Sequence, residues 1–418
     1  MIPSPRRSPA PLLRPSPVLR LLVGRSLAAL ATALIPTTLT LAVIRSGSAG
    51  DLGLVLSSEL VPMLLLLPVA GVAADRLVPH RLLLTADLVR AAGQLGIAAE
   101  LLFGPGRIAV LAALAAVTGT AVAFGAPAVR TLVAATVPGD QRLQLNSRIG
   151  VAQGLAQIAG PAAAGGLMLA VGAGWSSLLT AVLYAVAAAS LIGLRPNRDT
   201  APATGDRATF TTELRAGWAE TRRHPWFLAN VLGHGVWHLG AGVLLTLGPL
   251  IAHDRLGGDG AWVVIAQVGS IGLVAGLWAA GRLPIRRPLV GVAVGAAAYG
   301  LPLAALGFTL PTAVVTAAYC LGMIGLGVLS PLWETTLQNR IPHEALGRVG
   351  AFDSLISFAS RPLGLAVAAP IASIVGTAAP LLVMAAAVTA ANLAILLLPD
   401  VRTPTPTEPT PTPATTPA

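Results

Sequence analysis

Twelve long apolar stretches, separated by short polar segments, dominate the sequence and restrict the kind of fold it can form. A helix needs about 20 predominantly apolar residues to cross the hydrocarbon core of a bilayer. The stretches lie near residues 18–44, 52–74, 82–103, 108–132, 144–171, 175–194, 226–251, 261–281, 288–308, 312–337, 347–375 and 378–398. With 55% hydrophobic and 11% charged residues, the chain has too few charges to cover a water-soluble globule. The sequence therefore predicts an all-α membrane protein with twelve transmembrane helices.

The same pattern divides the chain into two six-helix bundles and three polar segments. The bundles cover residues 18–194 and 226–399, and a central loop, 195–225, joins them. Residues 1–17 are rich in Pro and Arg, and residues 400–418 are rich in Thr and Pro, so both ends are predicted to be disordered.

Short motifs recur in the two halves at an offset of about 200 residues. Gly71 before Asp75-Arg76 parallels Gly276 before Gly281-Arg282, and Arg148 before Gly160-Pro161 parallels Arg348 before Pro362-Leu363-Gly364. Six-helix units that repeat in the same orientation around a midplane cavity are typical of one class of secondary transporter. The repeat predicts two pseudo-symmetric bundles with a cavity between them.

Arginine is distributed unequally between the two sides of the predicted membrane. With a cytoplasmic N-terminus, 21 arginines fall in cytoplasmic segments, 3 in outer segments and 3, Arg25, Arg90 and Arg361, within the spans. Basic residues accumulate on the cytoplasmic side of membrane proteins. We therefore expect both termini to be cytoplasmic, and the net charge of +10 reflects topology rather than binding to nucleic acid.

The segment from Gly71 to Arg81, GVAADRLVPHR, resembles the loop 2–3 signature of the major facilitator superfamily. Val78 stands where the signature usually has glycine, and Pro79-His80 where it has basic residues. Other stretches are similar to a bacterial export-type branch that includes the enterobactin exporter and macrolide efflux proteins: Leu145-Asn146-Ser147-Arg148, Gly160-Pro161, Gly165-Gly166, Trp333-Glu334-Thr335-Thr336-Leu337-Gln338 and Pro362-Leu363-Gly364. The resemblance implies a monomeric carrier in the bacterial cell membrane that works by alternating access.

The resemblance also implies roles for individual residues. In the family, the loop 2–3 cluster latches the cytoplasmic gate while the carrier is open outward. The expected gate residues are Gly71, Asp75, Arg76, Arg81, Arg282 and Arg348. Asp75 is expected at the N-terminal dipole of a helix in the opposite half, with Arg76 and Arg81 paired to acids there. Close helix crossing and bending are expected at Gly160, Pro161, Gly165, Gly166, Pro362 and Gly364.

Ionisable side chains within the spans are functional candidates because each costs at least about 2.5–3.5 kcal/mol at the bilayer centre. Glu59, in the second span, is either a protonation site for coupling to protons or a structural partner of an arginine such as Arg25. Arg25 in turn faces either an acid or an anionic substrate. The stretch Ala115–Gly119 lacks the helix-4 arginine common in proton-coupled exporters of the superfamily. If protons drive transport, other groups must therefore carry them.

Two further charged pairs complete the coupling candidates. Asp87 and Arg90 are one helical turn apart, and we expect them to form a structural ion pair. Arg361 lies beside Pro362 in the eleventh span, and Asp353, two turns earlier, is its expected intrahelical neighbour. We expect Arg361 to serve the gate rather than to contact substrate.

The seventh span carries a group of polar and aromatic residues that could line the cavity. His234 and His238 lie on one helix face, but no third ligand is evident, so we expect no metal. The alternatives are a proton-relay or substrate-binding role and hydrogen bonding between helices. Asn230 and Trp237 are further candidates for the cavity. Three glutamines are candidates either for the cavity or for interhelical hydrogen bonds: Gln153, Gln157 and Gln267.

Motifs for catalysis are missing from the sequence. It has no phosphate-binding G-x-x-x-x-G-K-[ST] loop and no H-E-x-x-H or G-x-S-x-G motif, so we expect neither an enzyme nor a cofactor. The expected function is proton-coupled export of a small apolar or amphipathic molecule. The alternatives are an importer or facilitator of the same fold, and a non-transporting membrane sensor.

Overall fold

The computed structural model describes residues 16–46, 48–194 and 209–402, and within these residues the chain is helical with no strand. The helices are α1 Pro17–Ser46, α2 Ala49–Arg76, α3 Pro79–Phe103, α4 Ile108–Thr136, α5 Gly139–Ala170, α6 Ala173–Leu191, α7 Phe210–Arg223, α8 Pro225–Arg255, α9 Asp259–Ala280, α10 Pro288–Ala297, α11 Gly300–Gly307, α12 Thr312–Arg340, α13 Leu346–Val375, α14 Ala378–Ala394 and α15 Pro399–Arg402. A short 3₁₀ turn, Ile395–Leu397, follows α14.

Eleven spans among the described residues are long and apolar enough to cross a membrane, and α10 and α11 together form one of them. The helix α5, with 32 residues, is long enough but less apolar, because Gln153 and Gln157 lie along it. It packs against α1, α9 and α12, which places it inside the bundle as the twelfth long helix. The predicted twelve-helix all-α fold is confirmed.

The ninth predicted span, 288–308, is divided into two helices. The α-helical pattern stops at Ala298 and Tyr299 and resumes in α11. Pro302 lacks the N–H that would bond to the carbonyl of Ala298, and its ring crowds that carbonyl, so a break at this position follows from the sequence.

The central segment 195–225 contains a helix that the sequence pattern did not predict, α7. Thr209 begins it, because its side chain accepts a hydrogen bond from the Thr212 N–H and so satisfies one of the free donors of the first turn. Residues 400–402 belong to the helix α15, so the disordered tail predicted from residue 400 is wrong at its start. Residues 1–15, 195–208 and 403–418 lie outside the described residues, so the disorder expected at 1–15 and 403–418 remains a prediction.

Glycines set how closely some helices cross. A Cβ built at Gly160 would lie 2.5 Å from the Ala33 Cβ of α1, and one built at Gly364 would lie 2.2 Å from the Leu239 carbonyl oxygen of α8. Both crossings therefore require glycine. A Cβ at Gly165 or Gly166 would meet nothing within 4 Å, so neither of these glycines is at a close crossing. Pro161 and Pro362 lie inside α5 and α13.

The N-terminal half, α1–α6, and the C-terminal half, α8–α14, meet along α2 and α13. We call the end of the bundle that carries the α2–α3, α4–α5 and α12–α13 junctions the α2–α3 end. There, a Cβ at Gly71 would lie 2.6 Å from the Ala351 Cβ, so α2 and α13 touch. In α13, none of residues 346–357 is exposed, whereas most of residues 361–375 are exposed. The part of α13 that is buried against other helices thus lies at the α2–α3 end.

Candidate functional site

A central cavity with three compartments lies between the two halves. The N-side compartment, about 300 Å³, is lined by residues such as Arg25 and Arg90. The C-side compartment, about 540 Å³, is lined by α8 and α13 residues such as Trp237 and Arg361. The α5 compartment, about 310 Å³, is lined by Gln157 among others. Ser330 of α12 lines all three, so they adjoin at the middle of the bundle.

Asp75 joins the two halves at the α2–α3 end. Its carboxylate accepts hydrogen bonds from the backbone N–H groups of Gly347, at 2.6 Å, and Arg348, at 3.0 Å. The Arg348 Nε also donates to it, at 2.9 Å. These N–H groups belong to the first turn of α13, where free donors and the helix dipole favour an anion. Asp75 of the N-terminal half therefore caps a helix of the C-terminal half.

Glu213 of α7 binds arginines from both halves. One carboxylate oxygen lies 2.7 Å from Arg76 Nη2, and the other lies 3.9 Å from Arg348 Nη1. The sequence reasoning missed Glu213 because it treated the central segment as a loop. Helix-start and helix-stop signals were present, since an acidic residue lies in the first turn of α7 and Arg222-Arg223 lie in the last.

Two arginines of the predicted gate set lie apart from these contacts. Arg81 is exposed and forms no ion pair with the described residues. Arg282 is also exposed, because α9 ends at Ala280 and the side chain folds back over the Trp278 ring, with its Cζ 4.1 Å from the ring centroid. Of the predicted set, the structure brings together Gly71, Asp75, Arg76 and Arg348.

A buried arginine of α4, Arg130, forms a second connection between the halves. Its side chain is only 8% exposed, and it donates to both carboxylate oxygens of Glu334, at 2.7 and 2.6 Å. Its Nη2 also lies 3.4 Å from Asp353 Oδ2. The arginine distribution alone places Arg130 among the cytoplasmic arginines that determine topology. Its position inside the apolar stretch 108–132 was the signal for a buried role.

Further polar contacts extend this connection toward the cavity. Donors on α5 reach acceptors of the C-terminal half: Arg142 bonds to the Gln338 carbonyl and the Asn339 side chain, Asn146 to the side chains of Thr335 and Gln338, and Ser147 to the Leu277 carbonyl. Among the described residues, every hydrogen bond between the halves lies on the α2–α3 side of the cavity. That end of the cavity is therefore closed.

A separate cluster of charges is buried inside the N-terminal half. Arg25 Nη2 donates to Asp87 Oδ2, and Arg90 Nη1 lies 3.4 Å from the other oxygen of Asp87. The expected pair of Asp87 and Arg90 is thus present, and Arg25 faces Asp87 rather than Glu59. Glu59 forms no hydrogen bond or ion pair with the described residues, although Arg90 lies within electrostatic range of it.

The predicted neighbour relation between Arg361 and Asp353 is not observed. Asp353 is bound to Arg130 and accepts a hydrogen bond from Trp333 Nε1 at 3.2 Å. Eight residues separate Asp353 from Arg361, which is a rise of about 12 Å along a helix, too far for an ion pair. Arg361 instead lines the C-side compartment.

The polar residues of α8 have different positions relative to the cavity. His234, Trp237 and His238 line the C-side compartment. The His238 ring stacks on Trp237, with centroids 3.8 Å apart, and His234 packs edge-on against Trp333 at 4.8 Å. Asn230 is buried away from the compartments and donates to the Trp226 carbonyl.

The three glutamines also divide. Gln153 lines the N-side and α5 compartments and Gln157 lines the α5 compartment, whereas Gln267 is exposed and lines none of the three. Within the described residues, no group of three or more His, Cys, Asp and Glu side chains could hold a metal ion.

Comparison with known proteins identifies similar sequences and folds. The family model described as Major Facilitator Superfamily matches residues 21–365. The multidrug efflux pump Tap of Mycobacterium tuberculosis is 29% identical over 384 residues, covering 86% of this chain and 87% of the relative. Tap of Mycolicibacterium fortuitum is 27% identical over 380 residues, covering 85% of this chain and 89% of the relative. Among solved structures, a bacterial homologue of the iron transporter ferroportin in an outward-facing state matches with a TM-score of 0.73 at 18% identity, covering 92% of this chain and 99% of the other.

Proposed function

The chain belongs to the major facilitator superfamily, whose model matches residues 21–365, and on that basis we propose that it exports small apolar or amphipathic molecules from a bacterial cell in exchange for protons. The substrate binds in the central cavity between the halves. Rocking of the halves then exposes it to each side in turn. The export of drugs by the two Tap relatives supports the outward direction.

One observation carries this proposal, the central cavity between the halves, across which all hydrogen bonds among the described residues lie at the α2–α3 end. Its largest compartment has apolar and aromatic walls with few charged groups, and its volume of about 540 Å³ is that of a site for drug-sized molecules. A ligand there would contact residues of both halves, so that movement of the halves changes its surroundings. Such a site suits a carrier better than a continuous pore.

The arginine bias supports an orientation with the α2–α3 end in the cytoplasm. The α2–α3 and α12–α13 junctions and α7, all at this end, carry many of the arginines, and positive charge accumulates on the cytoplasmic side. In this orientation both termini are cytoplasmic, and the structure corresponds to an outward-open state. We treat the protein as a monomer in the plasma membrane.

Glu59 is the proposed proton-carrying group. It is part-buried in α2, and the arginine that would neutralise it, Arg25, is bound to Asp87. Both Glu59 and Arg90 lie within electrostatic range of Tyr184. The Tyr184 hydroxyl lies 2.9 Å from Thr32 Oγ1, and Thr32 lines the N-side compartment. A proton on Glu59 can thus alter a polar group that reaches the cavity wall.

Everted membrane vesicles provide the test, since their cytoplasmic face is outside and export appears as uptake. Vesicles that contain the protein are expected to concentrate a lipophilic fluorescent dye when their interior is acidified. The uptake should collapse when nigericin removes the pH gradient. Dye uptake equal to that of vesicles without the protein contradicts export. Greater accumulation in intact cells that carry the gene indicates import.

Glu59→Gln tests the coupling site separately. We expect it to abolish concentrative uptake driven by the pH gradient, because the amide cannot carry a proton, while dye exchange at equal concentrations continues. Asp259→Asn is the matched control, because the Asp259 side chain is 87% exposed. Unchanged pH-driven uptake in Glu59→Gln removes Glu59 from the mechanism, and export by another coupling group then remains.

A further inference from the structure

Arg361 differs from the other arginines deep in the spans because it has no partner among the described residues. Arg25, Arg90 and Arg130 each bind a carboxylate. Arg361 forms no hydrogen bond or ion pair with the described residues, and its Nε is buried without a partner. A charged side chain within a span is costly unless it is paired or reaches a polar cavity. The compartment that Arg361 lines must therefore supply an acceptor for its guanidinium, either water or a ligand.

The protein offers no free carboxylate to Arg361 within this compartment. The lining carboxylates are Glu334 and Asp353, and both are bound to Arg130. Two carboxylates share one guanidinium there, which neutralises Arg130 and leaves one negative charge in excess, but neither carboxylate forms an ion pair with Arg361. Arg361 is the cation of the compartment that remains available to a ligand.

The walls of the compartment fix the character of the rest of the ligand. Trp237, Tyr299, Tyr319 and Phe358 present aromatic rings to it, with the Trp237 and Tyr299 centroids 5.7 Å apart. Such rings favour flat or ring-containing bodies through offset stacking and edge contacts. Trp237 Nε1 is buried without a partner among the described residues. Because an indole N–H and a guanidinium only donate hydrogen bonds, both residues call for an acceptor.

We infer that the C-side compartment binds an amphipathic organic monoanion, a ring-containing apolar body that carries one carboxylate. The carboxylate pairs with Arg361, whose planar fork suits two parallel hydrogen bonds, and the apolar body packs against Trp237 and Phe358. Arg361 is thus the residue that selects an anion over a neutral or cationic molecule of the same shape. The inference rests on the proposed function only in taking this anion as a transported molecule.

Binding measured without any gradient tests the site. Purified full-length protein in lipid nanodiscs is titrated calorimetrically with three probes of one shape: naphthoate, naphthylmethanol and naphthylmethylammonium. We expect naphthoate to bind most tightly to the wild type. Arg361→Gln should weaken naphthoate binding about 10- to 100-fold, which corresponds to the loss of charge-assisted hydrogen bonds, and leave naphthylmethanol unchanged. Arg255→Gln removes an exposed arginine at the end of α8 and should alter neither.

The relative affinities of the three probes for the wild-type protein test the anion site even if Arg361→Gln does not fold. Naphthoate binding no tighter than naphthylmethanol overturns the anion site, as does equal naphthoate affinity in Arg361→Gln and Arg255→Gln. If everted vesicles take up a neutral dye but the protein binds naphthoate no more tightly than naphthylmethanol, the anion site is wrong and the proposed export stands. If the protein in nanodiscs prefers naphthoate but everted vesicles take up no dye, the anion site stands and the proposed export is wrong.

Discussion

The two ends of α2 and α13 are built differently although they belong to the same pair of helices. At the α2–α3 end, Asp75 caps α13 and a Cβ at Gly71 would meet α13 at 2.6 Å. Toward the opposite end, α13 is mostly exposed from residue 361 onward, and no hydrogen bond joins the halves there among the described residues. Among the described residues, hydrogen bonds thus join the halves at one end of this helix pair and not at the other.

The contacts at the α2–α3 end contribute to the free-energy difference between the two states of the carrier. Each contact between the halves at the α2–α3 end stabilises the state in which that end is closed, and must be broken when it opens. A ligand or proton shifts such an equilibrium only by its differential affinity for the two states. Changing the closed end should therefore alter the populations of the states, while changing exposed positions on the same helices should not.

The largest expected effect comes from Arg130→Gln. It leaves Glu334 and Asp353 without their shared cation, and removing one partner of a buried ion pair costs about 3–5 kcal/mol. We expect a lower melting temperature in detergent and loss of the closed α2–α3 end, seen as faster labelling of a cysteine placed at Ser147 in a Cys320→Ser background.

Adding Glu334→Gln to Arg130→Gln should restore part of the melting temperature, because only one carboxylate then remains unpaired. Arg148→Gln, which removes an exposed arginine at the same end, serves as the control. A melting temperature equal to the control value contradicts a stabilising role for Arg130.

A steric change at the contact between the halves should have an intermediate effect. In Gly71→Val, the new Cβ would lie 2.8 Å from the Gly347 carbonyl oxygen as well as near Ala351, and such overpacking costs about 1–3 kcal/mol. We expect dye uptake by everted vesicles to fall about 5- to 100-fold. Gly53→Val is a control on the same helix, because a Cβ there meets nothing within 4 Å. Equal uptake by the two variants contradicts the distinction between the ends.

The smallest expected effect is that of Glu213→Gln. It removes the ion pairs with Arg76 and Arg348, which are partly exposed and therefore contribute at most about 1 kcal/mol. Cysteine labelling at the α2–α3 end should rise by up to about fivefold, without loss of folding. Glu220→Gln on the same helix is the control. If cysteine labelling increases more in Glu213→Gln than in Arg130→Gln, then α7 and not Arg130 keeps the α2–α3 end closed.

The sequence was sufficient for the fold because membrane insertion leaves a strong local signal. Each long helix had to present about 20 apolar residues, and the twelve stretches were recovered with one internal break, at Pro302. The motif predicted Asp75 at the start of a helix in the opposite half, and the structure identifies that helix as α13. These features depend on neighbouring residues or on a single pattern.

The ion pairs that buried side chains form with residues of other helices could not be predicted from the sequence. Their shared helix favours Asp353 as the partner of Arg361, but Arg130, more than 200 residues away in sequence, binds Asp353 instead. The sequence left open whether Glu59 is a protonation site or a structural partner of Arg25, and Arg25 binds Asp87 instead. Such choices depend on which side chains the packed helices bring together, and spacing along the chain carries no information about that.

Ser330 lines all three compartments of the central cavity, and this has a kinetic consequence. Two small molecules bound in different compartments would meet where the linings overlap and would exclude each other only in part. Each then slows the other by occupying a carrier that still moves, so inhibition between such pairs is mixed rather than purely competitive. A molecule large enough to cover Ser330 blocks both. The size of an inhibitor, more than its resemblance to the substrate, then determines the form of its inhibition curve.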